Sequence, residues 1–385
     1  MKHFLLFVLF ISIGLNNVLA DTFLSKNKEW FNKGPLISFL SEKEAKIWIE
    51  KFPYNHLKER NYKKPYQGKI IDAESHPRKR SKKKKKNIKK NAKYDISDFH
   101  IVADDAGIAH SIIMHTPNTY SDKGKWDYYF SYVKKHHRVS ALCSANVVGM
   151  SANPKKYSKK KINKEWKKML RHFKKGRCYG FGEAGFVHYN KKKKDPPHFK
   201  GRQNELDLDL NHPIIDKIFA WVNKNKMPIV IHMEPFHKIK NINRIDEFKK
   251  FYKTKCKKFP QATLAIAHTG MMATKDLEEI FEYCKNVVSN WKIGFHWSSF
   301  WGFSDLYVTN GFNFKLYEVW AKSFEKYPDR YIFASDQKMG KGAGNDYYKI
   351  HYMKIIRDMI GSLEKDVQEK IAWKNAARVY NIKLN

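Results

Sequence analysis

Acids are scarce in this chain relative to bases. Asp and Glu number 38 against 75 Lys and Arg, a formal charge of +37. Such an excess opposes compaction at low salt and favours anionic partners, but it says nothing about fold. Cysteine is scarce as well: Cys143, Cys178, Cys256 and Cys284 include no CxxC, which argues against a cysteine-clamped metal module. Their scatter predicts buried single thiols, with a Cys256–Cys284 bridge between neighbouring helices as the alternative. Beyond residue 20 no apolar run is long enough to span a bilayer. No GxGxxG follows the first strand-like segment, so the sequence offers no dinucleotide fingerprint.

What is present points to a folded body. Hydrophobic residues make up 42% of the chain and aromatics 15%, which excludes a disordered polyelectrolyte. Met1–Ala20 carries Lys2 and His3, an apolar run from Phe4 to Leu15, and Val18-Leu19-Ala20, the layout of a cleavable leader. The expectation is therefore an exported protein, periplasmic or secreted, with no membrane attachment after cleavage. Residues 21–66 read as an N-terminal helical extension and 67–385 as the main domain.

From residue 68 onward short apolar segments alternate with amphipathic ones. Strands are predicted at Lys69–Ala73, Ser111–Pro117, Val139–Val147, Cys178–Phe186, Met227–Pro235, Ala262–Gly270, Val287–Trp297 and Arg330–Gln337. Helical patterns separate them, and Asp346–Ile360 and Lys365–Tyr380 close the chain as helices. Eight continuous apolar strands between helices fit an α/β (β/α)8 barrel, with a doubly wound sheet as the alternative.

The strand ends carry the chemistry. Strand one ends in Glu74 and His76, strand four in Glu183, strand five in His232, strand six in His268 and strand eight in Asp336. Each alone is explained by a cap, a turn or a core hydrogen bond. In a barrel, however, all C-terminal strand ends open on one face, so six residues of metal-ligand type converge there.

In these residues the chain resembles the metal-dependent amidohydrolase superfamily, from Gly68 to about Tyr380. That family's pattern is His-x-His after strand one, a carboxylate or modified lysine after strand four, His after strands five and six, and Asp after strand eight. Here Glu74-Ser75-His76, Glu183, His232, His268 and Asp336 hold those positions. The GEAG around Glu183 looks like the TatD-type deoxyribonuclease branch. The AHTG, ASDQ and Asn375-Ala376-Ala377-Arg378 settings look like the branch containing aminocarboxymuconate-semialdehyde decarboxylase. The resemblance implies one or two divalent ions, usually zinc, with Asp336 orienting the attacking water and accepting its proton. Glu74 departs from the family's first histidine. It adds negative charge, which favours a harder ion such as manganese or magnesium, or marks a site that has lost a metal or its activity.

Lysine runs at Arg78–Lys93, Lys155–Lys161 and Lys191–Lys194 follow strands one, three and four and are expected as loops around the mouth. They would steer a small anionic substrate. Nucleic acid is the less favoured partner, because stacking aromatics are sparse in the runs. His115, His296 and Lys338 are candidate substrate contacts. The expected activity is hydrolysis of a C–N or C–O bond by a metal-activated water. The alternatives are a TatD-type phosphodiesterase, a decarboxylase, and a non-catalytic polyanion binder on a decayed barrel.

Overall fold

A computed structural model describes residues 60, 64–77, 103, 106–114, 130, 133–134, 136–144, 147–189, 206–237, 242–291, 316–339, 353 and 356–384. The leader, nearly all of the extension, the runs at 78–93 and 191–194, and His115 and His296 lie outside these residues.

Strands β1 Ile71–Pro77, β2 His110–Ile113, β3 Val139–Ala141, β4 Phe181–His188, β5 Pro228–Met233, β6 Thr263–Ile266, β7 Val287–Trp291, β8 Tyr331–Phe333 and β9 Gln337–Met339 pair in parallel. Ladder pairing links β9-β1-β2-β3 and β4-β5-β6-β7-β8. Backbone contacts join them at both breaks. Cys143 bridges to Phe181 between the ends of β3 and β4. At the other break β8 continues through Ala334–Asp336 into β9, and the Asp336 N–H donates to Glu74 O at 2.8 Å. Spatial order thus follows chain order around a ring of eight staves, β8 and β9 forming one. This is the (β/α)8 TIM barrel that the alternation predicts.

The strands form on short buried segments, and helices fill the crossovers described between β3 and β8. Helix α1 spans Lys159–Lys174 and is capped by Ser158, whose hydroxyl accepts from the Lys161 N–H. Helix α2, Pro213–Lys224, opens with proline at a position whose N–H would have no helical partner. It buries Ile214, Ile215, Ile218, Phe219 and Val222 along one stripe. Ile245–Lys258, Thr274–Tyr283 and Glu318–Lys326 cover β5 to β8 in turn. The closing helical stretch runs from Lys365 to Tyr380 with a π-helical turn at Lys370–Lys374. No helix among the described residues is long and apolar enough to cross a membrane.

Two expectations need correction. The cysteines are not single thiols: Cys143–Cys178 and Cys256–Cys284 are disulfides, with Cα–Cα distances of 5.5 and 5.8 Å. Sequence spacing hides the first bridge because its partners, 35 apart, meet only once β3 lies beside β4. The Lys155–Lys161 run is not wholly a loop either, since Lys159–Lys161 form the first turn of α1.

The core has two layers. The larger cluster lies between strands and helices. The smaller contains Ile71, Ala73, Ile112, Met114, Leu142, Val230, Ala265, Val288, Ile332 and Ala334, one or two from seven of the eight staves. This is the barrel interior, and it gives the reference for which way each strand points its residues.

Candidate functional site

Alternation along a strand would keep Ile71, Ala73 and Ser75 inward and turn Glu74 and His76 away. The pairing of β1 with β2 prevents that. Asp72 faces Ser111 but Ser75 faces Ile113, so one extra residue sits on β1 between them. The bulge swaps the faces and turns Glu74 and His76 into the barrel. On β4 the same thing happens. Gly182 faces inward, where an added Cβ would lie 2.9 Å from Val230 Cβ. The register slips between Phe181 and Ala184, re-aiming Glu183, and again between Gly185 and Val187, re-aiming His188.

β6 uses a different device. Ala265 and Ala267 point inward, and His268 follows with φ of 55°, as does Thr269. With Gly270 at 62° and Met271 at 52°, this is a left-handed turn, costing about 1–2 kcal/mol per non-glycine residue. Plain alternation serves on β5, carrying Val230 on to His232, whereas on the eighth stave Ala334 leads to Asp336 at φ of 52°, again in the left-handed region.

These devices bring the six expected residues together at the C-terminal strand ends. His76 Nδ1–H donates to Met114 O at 2.9 Å, which leaves Nε2 facing the centre. Around that nitrogen lie Asp336 Oδ1 at 2.8 Å, Glu183 Oε2 at 3.7 Å and Glu74 Oε1 at 3.8 Å. His268 Nε2 approaches from the other side, 3.4 Å from Glu183 Oε1, 3.5 Å from Glu74 Oε1 and 3.9 Å from Asp336 Oδ2. Asp336 has the most exposed side chain of this group, at 22%, and marks the open side.

Glu74 is fully buried. Asn290 Nδ2 donates to its Oε2 at 3.1 Å, while Oε1 has no hydrogen-bond partner among the described residues. Burial raises the Glu74 pKa, and Glu183 and Asp336 raise it further against the pull of His268 and His76. Burial opposes charging of His76, but Asp336, Glu183 and Glu74 outweigh it and lift its pKa to about 9. For Glu183 burial is likewise outweighed, chiefly by His232, and its pKa is lowered.

An unpartnered carboxylate oxygen held among imidazole nitrogens and two more carboxylates is costly unless a cation takes it up. Glu183, His232 and His268 also offer three atoms within 4.8 Å of one another, as do Glu74, His76 and Asp336. The residues fit a divalent ion.

His232 stands differently from the rest. Its Nδ1 is 2.6 Å from Glu183 Oε1, a hydrogen-bond distance, and its Nε2 points away toward His188 and Glu234. Burial is outweighed by Glu183 and Glu234, and the His232 pKa rises to about 10.

Sequence reasoning missed Glu234, although His232-Met233-Glu234 mirrors Glu74-Ser75-His76 in reverse order. It also missed Asp72, which clasps strand one to strand eight. Asp72 accepts from Ser335 N–H at 2.8 Å, Ser335 Oγ at 2.6 Å and Ser75 Oγ at 2.6 Å. Lys338 lies in β9 with its backbone opposite His76.

A sequence model of the family described as Amidohydrolase matches residues 182–382, more than half of the 385. No curated protein matches the sequence. Among solved structures, 2,6-dihydroxybenzoate decarboxylase in complex with 2,6-dihydroxybenzoate aligns over 82% of this chain and 99% of its own, with TM-score 0.50 and 12% identity. Dihydroorotase from Campylobacter jejuni aligns over 85% and 86%, again at 0.50 and 12%. A TIM-barrel protein from Bordetella bronchiseptica aligns over 82% and 99% with the same two values. At such identities these similarities establish the fold alone.

Proposed function

Because the chain belongs to the amidohydrolase family, we propose that it is an exported, metal-dependent hydrolase acting on a C–N or C–O bond of a small anionic molecule. The observation that carries this reading is the fully buried Glu74 Oε1, unpartnered among the described residues, with His76 and His268 Nε2 at 3.8 and 3.5 Å. Glu74, His76, Glu183, His268 and Asp336 would hold the ion, with His232 behind Glu183. Zinc suits the imidazoles, and manganese or magnesium suits the three carboxylates. Such an ion supplies Lewis acidity toward a substrate oxygen and a bound water whose pKa falls toward about 7.

The chain's own groups do the rest. Met114 O holds the His76 Nδ1–H, so Nε2 is the nitrogen that would give its lone pair to a bound ion. Asp336, at the open side, is placed to accept a proton from incoming water and return it to the leaving group. The buried floor of Ile71, Ala73, Val230 and Ile332 keeps bulk water from reaching the carboxylates from below. The leader-like N-terminus and two disulfides support export. The +37 charge supports an anionic substrate.

Decarboxylation is the second reading, favoured by the AHTG and ASDQ settings of His268 and Asp336. The test is elemental analysis of wild type and His76→Ala, followed by a screen of esters, amides and aromatic carboxylates in 18O-water. Hydrolysis places solvent oxygen in the organic product, whereas decarboxylation releases CO2 and leaves the organic product unlabelled. Metal-free protein that turned over as fast as the loaded form would overturn both readings.

A further inference from the structure

We propose that His188, His232 and Glu234 form a second divalent-cation site, of zinc type, beside the Glu74 cluster and built from different donors. His188 Nδ1, His232 Nε2 and Glu234 Oε1 make a closed triangle with edges of 3.2, 2.9 and 3.4 Å. Ligands on one tetrahedral zinc, at bonds of roughly 2.0–2.1 Å, stand about 3.3 Å apart. Two edges match that spacing, and the third is slightly shorter. All three side chains are buried, Glu234 almost completely.

The surroundings hold these atoms in place. The second β4 bulge turns His188 toward β5, while His232 and Glu234, two apart, share a face of β5 and the residue after it. Tyr189 N–H donates to Glu234 Oε2 at 2.9 Å, which locks the carboxylate and aims Oε1 into the triangle. Glu183 Oε1, 2.6 Å from His232 Nδ1, accepts the proton on that nitrogen and leaves Nε2 as the ligating lone pair. A carboxylate behind a histidine that faces a metal is the usual outer support of such sites. Glu183 therefore belongs to both clusters, as a donor in one and a positioning residue for His232 in the other.

The site would take a borderline cation, since two nitrogens and one oxygen suit zinc or cobalt better than magnesium. The competing explanation is an imidazolium at His232 linking Glu183 to Glu234, which needs no metal. The inference goes beyond the hydrolase reading and does not depend on it.

The experiment is elemental analysis of the full chain after loading with excess zinc and gel filtration, for wild type, His188→Ala, Glu234→Gln and His76→Ala. We expect two equivalents in the wild type and one in each variant. If His76→Ala leaves the count unchanged while His188→Ala removes an ion, the second site stands and the first does not. If His188→Ala and Glu234→Gln both keep the wild-type count, the proposal falls. Wild-type crystals grown with zinc supply a check that needs no variant. An anomalous peak equidistant from the three donors supports the site, and saturating zinc with no peak between them overturns it.

Discussion

The two clusters sit side by side but are assembled in opposite ways. His188 and His232 are 44 residues apart on paired neighbouring strands. His76 and Asp336 are 260 apart and meet only where the last stave closes on the first. The second cluster is a local product of one strand pair. The first is a property of the whole ring, and it depends on the Asp72 clasp as much as on its own donors. Neighbouring functional groups on a barrel can thus differ in which parts of the chain they rely on.

The largest effect that would sharpen this contrast is on activity. Glu74→Ala or His76→Ala should cost more than the roughly 100-fold typical of outer-sphere changes. The measurement is kcat/KM on whichever substrate the screen identifies. A loss below tenfold in both would mean the orphaned oxygen has no catalytic partner.

Asp72→Ala comes next, because it leaves every donor in place and removes only the clasp. It should cost about 3 kcal/mol in denaturant unfolding, as buried hydrogen bonds to a carboxylate are lost. In the same variant, zinc affinity should fall at the Glu74 cluster and hold at His188. Equal weakening at both would erase the contrast.

The Cys256–Cys284 bridge closes a loop of separation 28 on the side of the barrel away from β1. Replacing both with serine should cost about 3 kcal/mol in thermal or denaturant stability. It should leave both metal equivalents in place, as elemental analysis would show.

The last effect, reached only as the pH falls, is a pH dependence. His110 at the start of β2 is buried against Ser140, and burial, helped by Arg138 and His137, lowers its pKa to about 4. The unfolded chain then binds more protons than the folded one between roughly pH 6.5 and 4. Stability should therefore be full above about pH 6.5 and fall by at most ~3 kcal/mol toward pH 4. His110→Gln should flatten that slope, and an unchanged slope would assign the acid lability elsewhere.

Much of the ring was legible because short apolar segments alternate with amphipathic ones along the sequence. The six site residues were legible as polar endings of apolar strands, and the structure gathers them at one end of the barrel. Their inward aim was not. Strict alternation fails at Glu74, His76, Glu183, His268 and Asp336. Two are turned by the β1 bulge, one by a β4 bulge and two by left-handed backbone at His268 and Asp336, and no residue pattern announces an extra residue in a ladder. Glu234 and Asp72 escaped for another reason: each lies one step beyond or before the residue that ended the apolar run. The first disulfide was hidden because its geometry exists only after β3 and β4 are neighbours.

The clasp between Asp72 and Ser335 also bears on the order of events during synthesis. Domains take shape as the chain emerges from its N-terminus. The His188 cluster has all its residues by position 234, whereas Glu74 must wait for Asp336 and for Ser335, which holds Asp72. A chain stopped anywhere in that interval would hold every residue of the smaller cluster and lack Asp336 of the larger. An ion at the Glu74 cluster would thus report that the chain has reached Asp336 and closed the last stave on the first.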